Sequence, residues 1–240
     1  MANGREKLIV ALDILDEKKC FDMIDALSPE VDIFKVGIAP FTAFGQKILD
    51  KLNERGKKIF LDLKFHDIPN TVKNASYAAA CKNVFMVNFH CSGGKDMLLK
   101  AVEGAEKAVK ETKKPRPLLL GVTVLTSMSA ADVSVLGGKG NVEDKVIEYA
   151  LLAKEAGLDG VVASAEETKK IKEKCGKSFV VVTPGIRPAG SVADDQKRVV
   201  TAADAIKNGS DYIVVGRPII EAASPVEAAR SIIREIEEQY

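Results

Sequence analysis

Lys58-Lys-Ile-Phe-Leu-Asp-Leu-Lys-Phe-His-Asp-Ile-Pro-Asn-Thr71 opens as a buried strand and ends as a cluster of charge. Ile59, Phe60 and Leu61 form the apolar run of a strand covered on both faces. Asp62, Lys64 and Asp67 then break in. Residues two apart in a strand point to one face, so Asp62 and Lys64 are expected to project together from its C-terminal end. Asp67 lies just beyond, where the chain turns before Pro69. An acid, an amine and an acid gathered at one strand end is costly if it serves packing alone. The plainer alternative is a structural ion-pair cluster. Position favours chemistry, because α/β barrels carry their catalytic groups at strand C-termini.

Outward from this stretch, similar runs recur with helical patterns between them. Leu8–Asp13, Ile33–Gly37, Met86–His90, Leu118–Leu125, Gly160–Ser164, Phe179–Thr183 and Tyr212–Gly216 read as seven further strands. Phe21, Ile24 and Leu27 mark the first helix; Phe44, Ile48, Leu49 and Leu52 mark a single second one. An Ala-rich helix runs from about Thr71 to Cys81, another through Leu98, Val102 and Val109, and later ones over 142–156, 166–174, 202–208 and 225–238. Eight β-then-α units predict an α/β fold of the closed (β/α)8 TIM-barrel type, one domain over residues 1–240. A doubly wound open sheet is the second choice. It would usually carry a glycine-rich turn after the first strand, where this chain has Ala11-Leu-Asp-Ile-Leu-Asp16.

Composition narrows the function. The chain has 240 residues, 46% hydrophobic and 29% charged, with a net charge of +1. That balance gives no electrostatic case for nucleic acid or an anionic membrane, and the apolar runs are strand-sized, too short to span a bilayer. The polar start, Met1-Ala-Asn-Gly-Arg-Glu-Lys7, leads straight into a strand, so no secretory signal is expected. Cys20, Cys81, Cys91 and Cys175 lack metal spacing and read as reduced thiols of a cytoplasmic protein.

The strand ends supply Asp13, Lys35, the trio Asp62, Lys64 and Asp67, then His90, Thr126, Arg187, Gly216 and Arg217. Alternating sign lets each buried charge find a partner. Carboxylates flanking an amine favour its ammonium form, which suits Lys64 to donating a proton rather than to forming a Schiff base. Gly216-Arg217 follows the last strand, where barrels often seat a phosphate. Arg217 would grip it bidentately; the alternative is a surface arginine near a turn. The stretch 184–198 is long for a βα connection and carries Arg187 and Gln196. It reads either as a lid or as a surface insertion. His66 and His90 have no companion at metal-ligand spacing and are left outside the catalytic set. No metal site is expected.

Leu61-Asp-Leu-Lys-Phe-His-Asp-Ile-Pro-Asn-Thr71 resembles the Asp-x-Lys-x-x-Asp signature of the orotidine 5′-monophosphate decarboxylase family. The likeness extends to Ala11-Leu-Asp13, Phe34-Lys-Val-Gly37, Val124-Leu-Thr-Ser-Met128, Pro184-Gly-Ile-Arg-Pro188, Asp195-Gln-Lys-Arg198 and Val215-Gly-Arg217. These blocks stand in family order over nearly the whole chain, and the pattern is similar to the bacterial form. The resemblance implies cofactor-free, metal-free conversion of orotidine 5′-monophosphate (OMP) to uridine 5′-monophosphate (UMP) in pyrimidine synthesis. It also implies a homodimeric barrel with shared active sites. Lys64 would be the proton donor, with Asp62 beside the departing carboxylate. Asp67 and Thr71 would enter the partner subunit's site. Lys35 and Asp13 would hold the ribose and the charge network, and Thr126 would meet the pyrimidine. Arg187, Gln196, Gly216 and Arg217 would serve the phosphate and loop closure.

Two other readings compete. The 3-keto-L-gulonate 6-phosphate decarboxylases share the Asp-x-Lys-x-x-Asp segment but use Mg²⁺, with a glutamate at the end of strand two where this chain has Lys35. A non-catalytic nucleotide-phosphate binder would need the phosphate grip but not the charged trio.

Overall fold

The structure, a computed structural model, describes residues 4–135, 141–187 and 200–240. Eight parallel strands close into a barrel in sequence order: β1 (Leu8–Ala11), β2 (Ile33–Gly37), β3 (Lys58–Phe65), β4 (Met86–His90), β5 (Leu118–Val122), β6 (Gly160–Val162), β7 (Val180–Thr183) and β8 (Tyr212–Val215). Closure comes from β1, which pairs with β2 on one side and β8 on the other. Alternation along the strands sorts the core into two layers. Ile9, Ala11, Ile33, Phe60, Met86, Leu120, Val182 and Val214 pack together as one cluster contributed by seven strands. Their neighbours, such as Leu8, Val10, Phe34 and Ile59, pack in a larger cluster with helix residues.

Polar side chains tie the N-terminal face of the barrel. Asp159 accepts from the Leu119 N–H at 2.7 Å and from Arg116 at 2.6 Å. Asp211 does the same for the Val181 N–H at 2.7 Å and Lys172 at 2.6 Å. Such groups hold strand register, leaving the opposite face for chemistry.

Three local features depart from the sequence expectations. The single helix expected after β2 is two, Ile38–Phe44 and Gln46–Glu54, broken at Gly45, whose φ of 55° is one that glycine adopts without penalty. A short helix, Ala130–Val135, follows β5 where only a loop was expected. Most consequentially, β3 continues to Phe65 but not as a regular strand. Leu61 pairs with Val87 and Phe65 with Phe89, so four steps on β3 oppose two on β4. Within this bulge Lys64 has a φ of 52°.

Candidate active site

That bulge decides how the charged groups meet. A left-handed backbone costs a non-glycine residue about 1–2 kcal/mol and persists only where its surroundings impose it. At Lys64 the constraint is visible: its N–H donates to Oδ1 of Asn88 on β4, at 2.8 Å. Plain strand alternation is therefore not what brings Asp62 and Lys64 together. The turned backbone does so, and Lys64 Nζ lies 2.7 Å from Asp62 Oδ1.

From Lys64 the charges form an alternating chain across β3, β2 and the loop after β1. Lys35, on β2, places its Nζ 3.3 Å from Asp62 Oδ2 and 3.3 Å from Asp13 Oδ1. Asp62 is 7% exposed overall, so its ionic partners offset a substantial desolvation cost. Asp13 stands at the outer end of the chain and is exposed. Gly37 makes room for this arrangement. A Cβ there would lie 2.9 Å from Lys35 Nζ and 3.2 Å from Asp13 Oδ1.

The chain lines a cavity of about 510 Å³ at the C-terminal mouth of the barrel. Asp13 contributes from the loop after β1 and Lys35, Asp62 and Lys64 from β2 and β3; Thr126 and Ser127 follow β5; Arg187 follows β7; Gly216 and Arg217 follow β8. Apolar walls come from Phe60, Val122, Val162 and Val214. An ionic patch, a hydroxyl-bearing segment and two arginines facing one cavity suit a polar ligand with an anionic end. Gly185 and Ile186 are tied to Val200 through the bridge Ile186–Val200, with Arg187 N–H donating to Val200 O at 3.0 Å. The intervening loop, with Gln196, lies outside the described residues, so the lid expectation and the Gln196 assignment rest on sequence.

Asp67 and Thr71 do not join this cavity. Both are exposed, and the Asp67 carboxylate accepts from the Ile68 N–H at 2.6 Å. His66 and His90 lie against each other, ring centroids 5.4 Å apart and planes tilted by 40°, outside the cavity lining. Burial, and next the neighbouring His66 and Lys64, hold the His90 imidazole below its ordinary range. No group of three or more His, Cys, Asp or Glu side chains among the described residues is arranged to hold a metal ion.

Two residues of the site were not singled out from sequence. Gly37 gave no signal beyond its position at a strand end. Asn88 gave one: it is a lone amide inside the apolar run Met86-Val-Asn-Phe-His90, and buried amides need partners. Asn88 is fully buried, and its Nδ2 donates to Asp62 Oδ1 at 2.7 Å.

Fold and site define a (β/α)8 barrel with an ionic cluster and a polar-ligand cavity at its strand C-termini. The chain belongs to the orotidine 5′-phosphate decarboxylase / HUMPS family, whose sequence model matches residues 6–232. It is 48% identical to the orotidine 5′-phosphate decarboxylase of Moorella thermoacetica, over 98% of this chain and 94% of that protein. It is 45% identical to the enzyme of the same name from Syntrophomonas wolfei, over 98% and 99%. Among solved structures, the orotidine 5′-phosphate decarboxylase of Lactobacillus acidophilus superposes with a TM-score of 0.84 at 37% identity, over 96% of this chain and 99% of that one.

Proposed function

We propose that the chain is a carboxy-lyase that converts OMP to UMP and CO₂ in pyrimidine synthesis, without metal or organic cofactor, with Lys64 as proton donor to C6 of the pyrimidine. Membership of the family and relatives bearing the decarboxylase name over nearly their full lengths support the reaction. The observation that carries the mechanism is the unbroken series Asp13–Lys35–Asp62–Lys64.

The chemistry needs such a series. The C6–carboxylate bond breaks, CO₂ departs, and the electron pair stays on C6. A proton from the Lys64 ammonium then fills the C6–H bond. With no electron sink in the ring's environment, stabilisation comes from a charge already in place before the bond breaks. Asp62 would fix that ammonium and stand beside the departing carboxylate. Dielectric decides how much this is worth. Two unit charges 4 Å apart gain about 1 kcal/mol in bulk water and about 4 at an effective dielectric of 20. Covering the site therefore matters as much as building it. Thr126 and Ser127 suit the pyrimidine, Asp13 and Lys35 the ribose, and Arg187, Gln196, Gly216 and Arg217 the phosphate. Phosphate binding, remote from the bond broken, would supply the energy that closes the loop after β7.

Exposure of Asp67 and Thr71 outside their own cavity supports a homodimer in which each enters the partner's site. Leu15, Ile38 and Ile68, large apolar residues following β1, β2 and β3, are 65%, 56% and 68% exposed. Exposed apolar side chains, Ile68 next to Asp67 among them, fit such an interface. Four free cysteines suit a reducing, cytoplasmic setting.

The Mg²⁺-dependent alternative meets an obstacle at Lys35. Its ammonium lies 3.3 Å from Asp62 and 3.3 Å from Asp13, the carboxylates a cation would need. Purified protein treated with EDTA and mixed with OMP is expected to convert it to UMP at the untreated rate, followed by the change in pyrimidine absorbance. Loss of turnover restored by Mg²⁺ would favour the metal-dependent reading. Full nucleotide binding with no turnover under any metal condition would favour the non-catalytic binder.

Gly37→Ala tests the importance of the ion series from a residue that carries no charge. Its Cβ would press on the Lys35 ammonium and the Asp13 carboxylate. Thermal stability is expected to fall by about 1–3 kcal/mol, the usual cost of overpacking. Turnover should fall at least about 10-fold as the ammonium moves off Asp62. Unchanged turnover would separate the Lys35 contact from catalysis.

A further inference from the structure

We propose that Asn88 is a positioning residue for the decarboxylation, holding both the Lys64 backbone and the Asp62 carboxylate in their working arrangement. The inference rests on the functional reading above and extends it to a side chain outside the cavity lining.

Chemistry fixes the orientation of the amide. The Lys64 N–H can only donate, so it takes Asn88 Oδ1, at 2.8 Å. The Asp62 carboxylate can only accept, so it takes Asn88 Nδ2, at 2.7 Å. A single planar group thus spans both catalytic candidates. Its carbonyl meets the backbone at the point where φ turns to 52°. Its amino group meets the same Asp62 oxygen that accepts from Lys64 Nζ at 2.7 Å. Asp62 Oδ1 is consequently held by two donors, while Oδ2 faces Lys35 at 3.3 Å. Any rotation short of the half-turn that exchanges its two equivalent oxygens loses at least one of these contacts.

The location fits a supporting role. Asn88 is on β4 and fully buried, opposite the bulge in which β3 gains two residues over its neighbour. An amide buried between Val87 and Phe89 would be an unfavourable core choice without specific partners. Both partners here belong to the proposed catalytic pair. An amide offers one acceptor and one donor in the same plane at any pH, whereas a carboxyl of this size does so only when protonated.

Two variants test this, Asn88→Ala and Asn88→Asp, with kcat, KM, UMP affinity and thermal stability measured alongside the wild type. Asn88→Ala releases both contacts, and kcat is expected to fall about 100-fold, the scale of a misplaced reacting group. UMP affinity should stay within about 3-fold, because the phosphate and base contacts lie elsewhere in the cavity. Asn88→Asp discriminates more sharply. Two ammoniums already face Asp62, so a proton shared by the two carboxyls resides on the introduced one. In that form it donates to Asp62 and accepts from the Lys64 N–H, as the amide does. Ionised, it repels Asp62. Its kcat relative to wild type should therefore recover as pH falls and decline as pH rises, while Asn88→Ala shows no such recovery. The Asp variant is nearly the same size as the native residue and carries the test if the Ala variant does not fold.

Wild-type turnover with both variants within twofold of it at every pH would overturn the role of Asn88 alone. A parallel loss of kcat, UMP affinity and thermal stability, with no recovery of Asn88→Asp in acid, would overturn it too, as that pattern belongs to a structural residue. Wild-type protein that binds UMP but never converts OMP would instead overturn the functional reading, and this inference with it.

Discussion

Lys64→Ala is expected to lower OMP decarboxylation by at least about 10⁴-fold while leaving UMP binding within a few-fold of wild type. Two contributions vanish together: proton donation, worth about 10²–10⁴, and fixed-charge stabilisation of the anionic carbon, worth about 10²–10³. Binding is expected to survive because the proposed anion grip, at the cavity-lining residues Arg187, Gly216 and Arg217, lies after β7 and β8, and the ammonium would contribute most when charge develops on C6. Side effects on folding should be modest, since Lys64 is only partly buried. Its loss also leaves Asp62 with Lys35 and Asn88 as partners. Stopped-flow turnover and UMP titration on the same preparation separate the two quantities. A variant retaining more than about one hundredth of wild-type kcat would remove Lys64 as donor.

Mixing two inactive proteins is expected to restore activity. If Asp67 serves the partner's site, Asp67→Ala damages the neighbouring centre and Lys64→Ala damages its own. In a hybrid dimer both lesions fall in one site and the other is intact. Equal mixing with free subunit exchange gives half hybrids, each with one good site of two, so activity should return to about a quarter of wild type. The geometry motivating this is the position of Asp67 and Thr71, both exposed and neither lining the cavity of its own chain. Leu15, Ile38 and Ile68 offer the apolar surface such an exchange would bury. Subunit exchange is verified by mass-tagging one partner. Verified hybrids without activity would contradict sharing of the site.

Much of the barrel was legible in sequence because its strands are covered on both faces. Continuous apolar runs such as Leu8–Ala11 and Val180–Thr183 stand out against the mixed patterns of the helices. Strand-end charges were legible for a related reason: Asp13, Lys35, Asp62 and Lys64 interrupt or follow those runs where packing gives them no purpose. What sequence could not supply is backbone geometry. Asp62 and Lys64 do meet, yet through a bulge and a left-handed residue rather than strand alternation. A period-two pattern carries no information about a two-residue insertion. The break at Gly45 was hidden because apolar residues continue at helical spacing on both sides of it. Asn88 went unassigned because its partners come from another strand, and pairing between β3 and β4 is not written in either segment. The roles of Asp67 and Thr71 came from family resemblance alone, since no single-chain pattern reveals a residue that acts across an interface.

The account stands most directly on where C6 lies when nucleotide is bound. A crystal structure of the UMP complex should place Lys64 Nζ about 3–3.5 Å from the C6 carbon, with the Asp62 contact retained and the phosphate against Arg187 and Arg217. A complex with the pyrimidine turned away from Lys64, or with Lys64 drawn out of contact with Asp62, would contradict it.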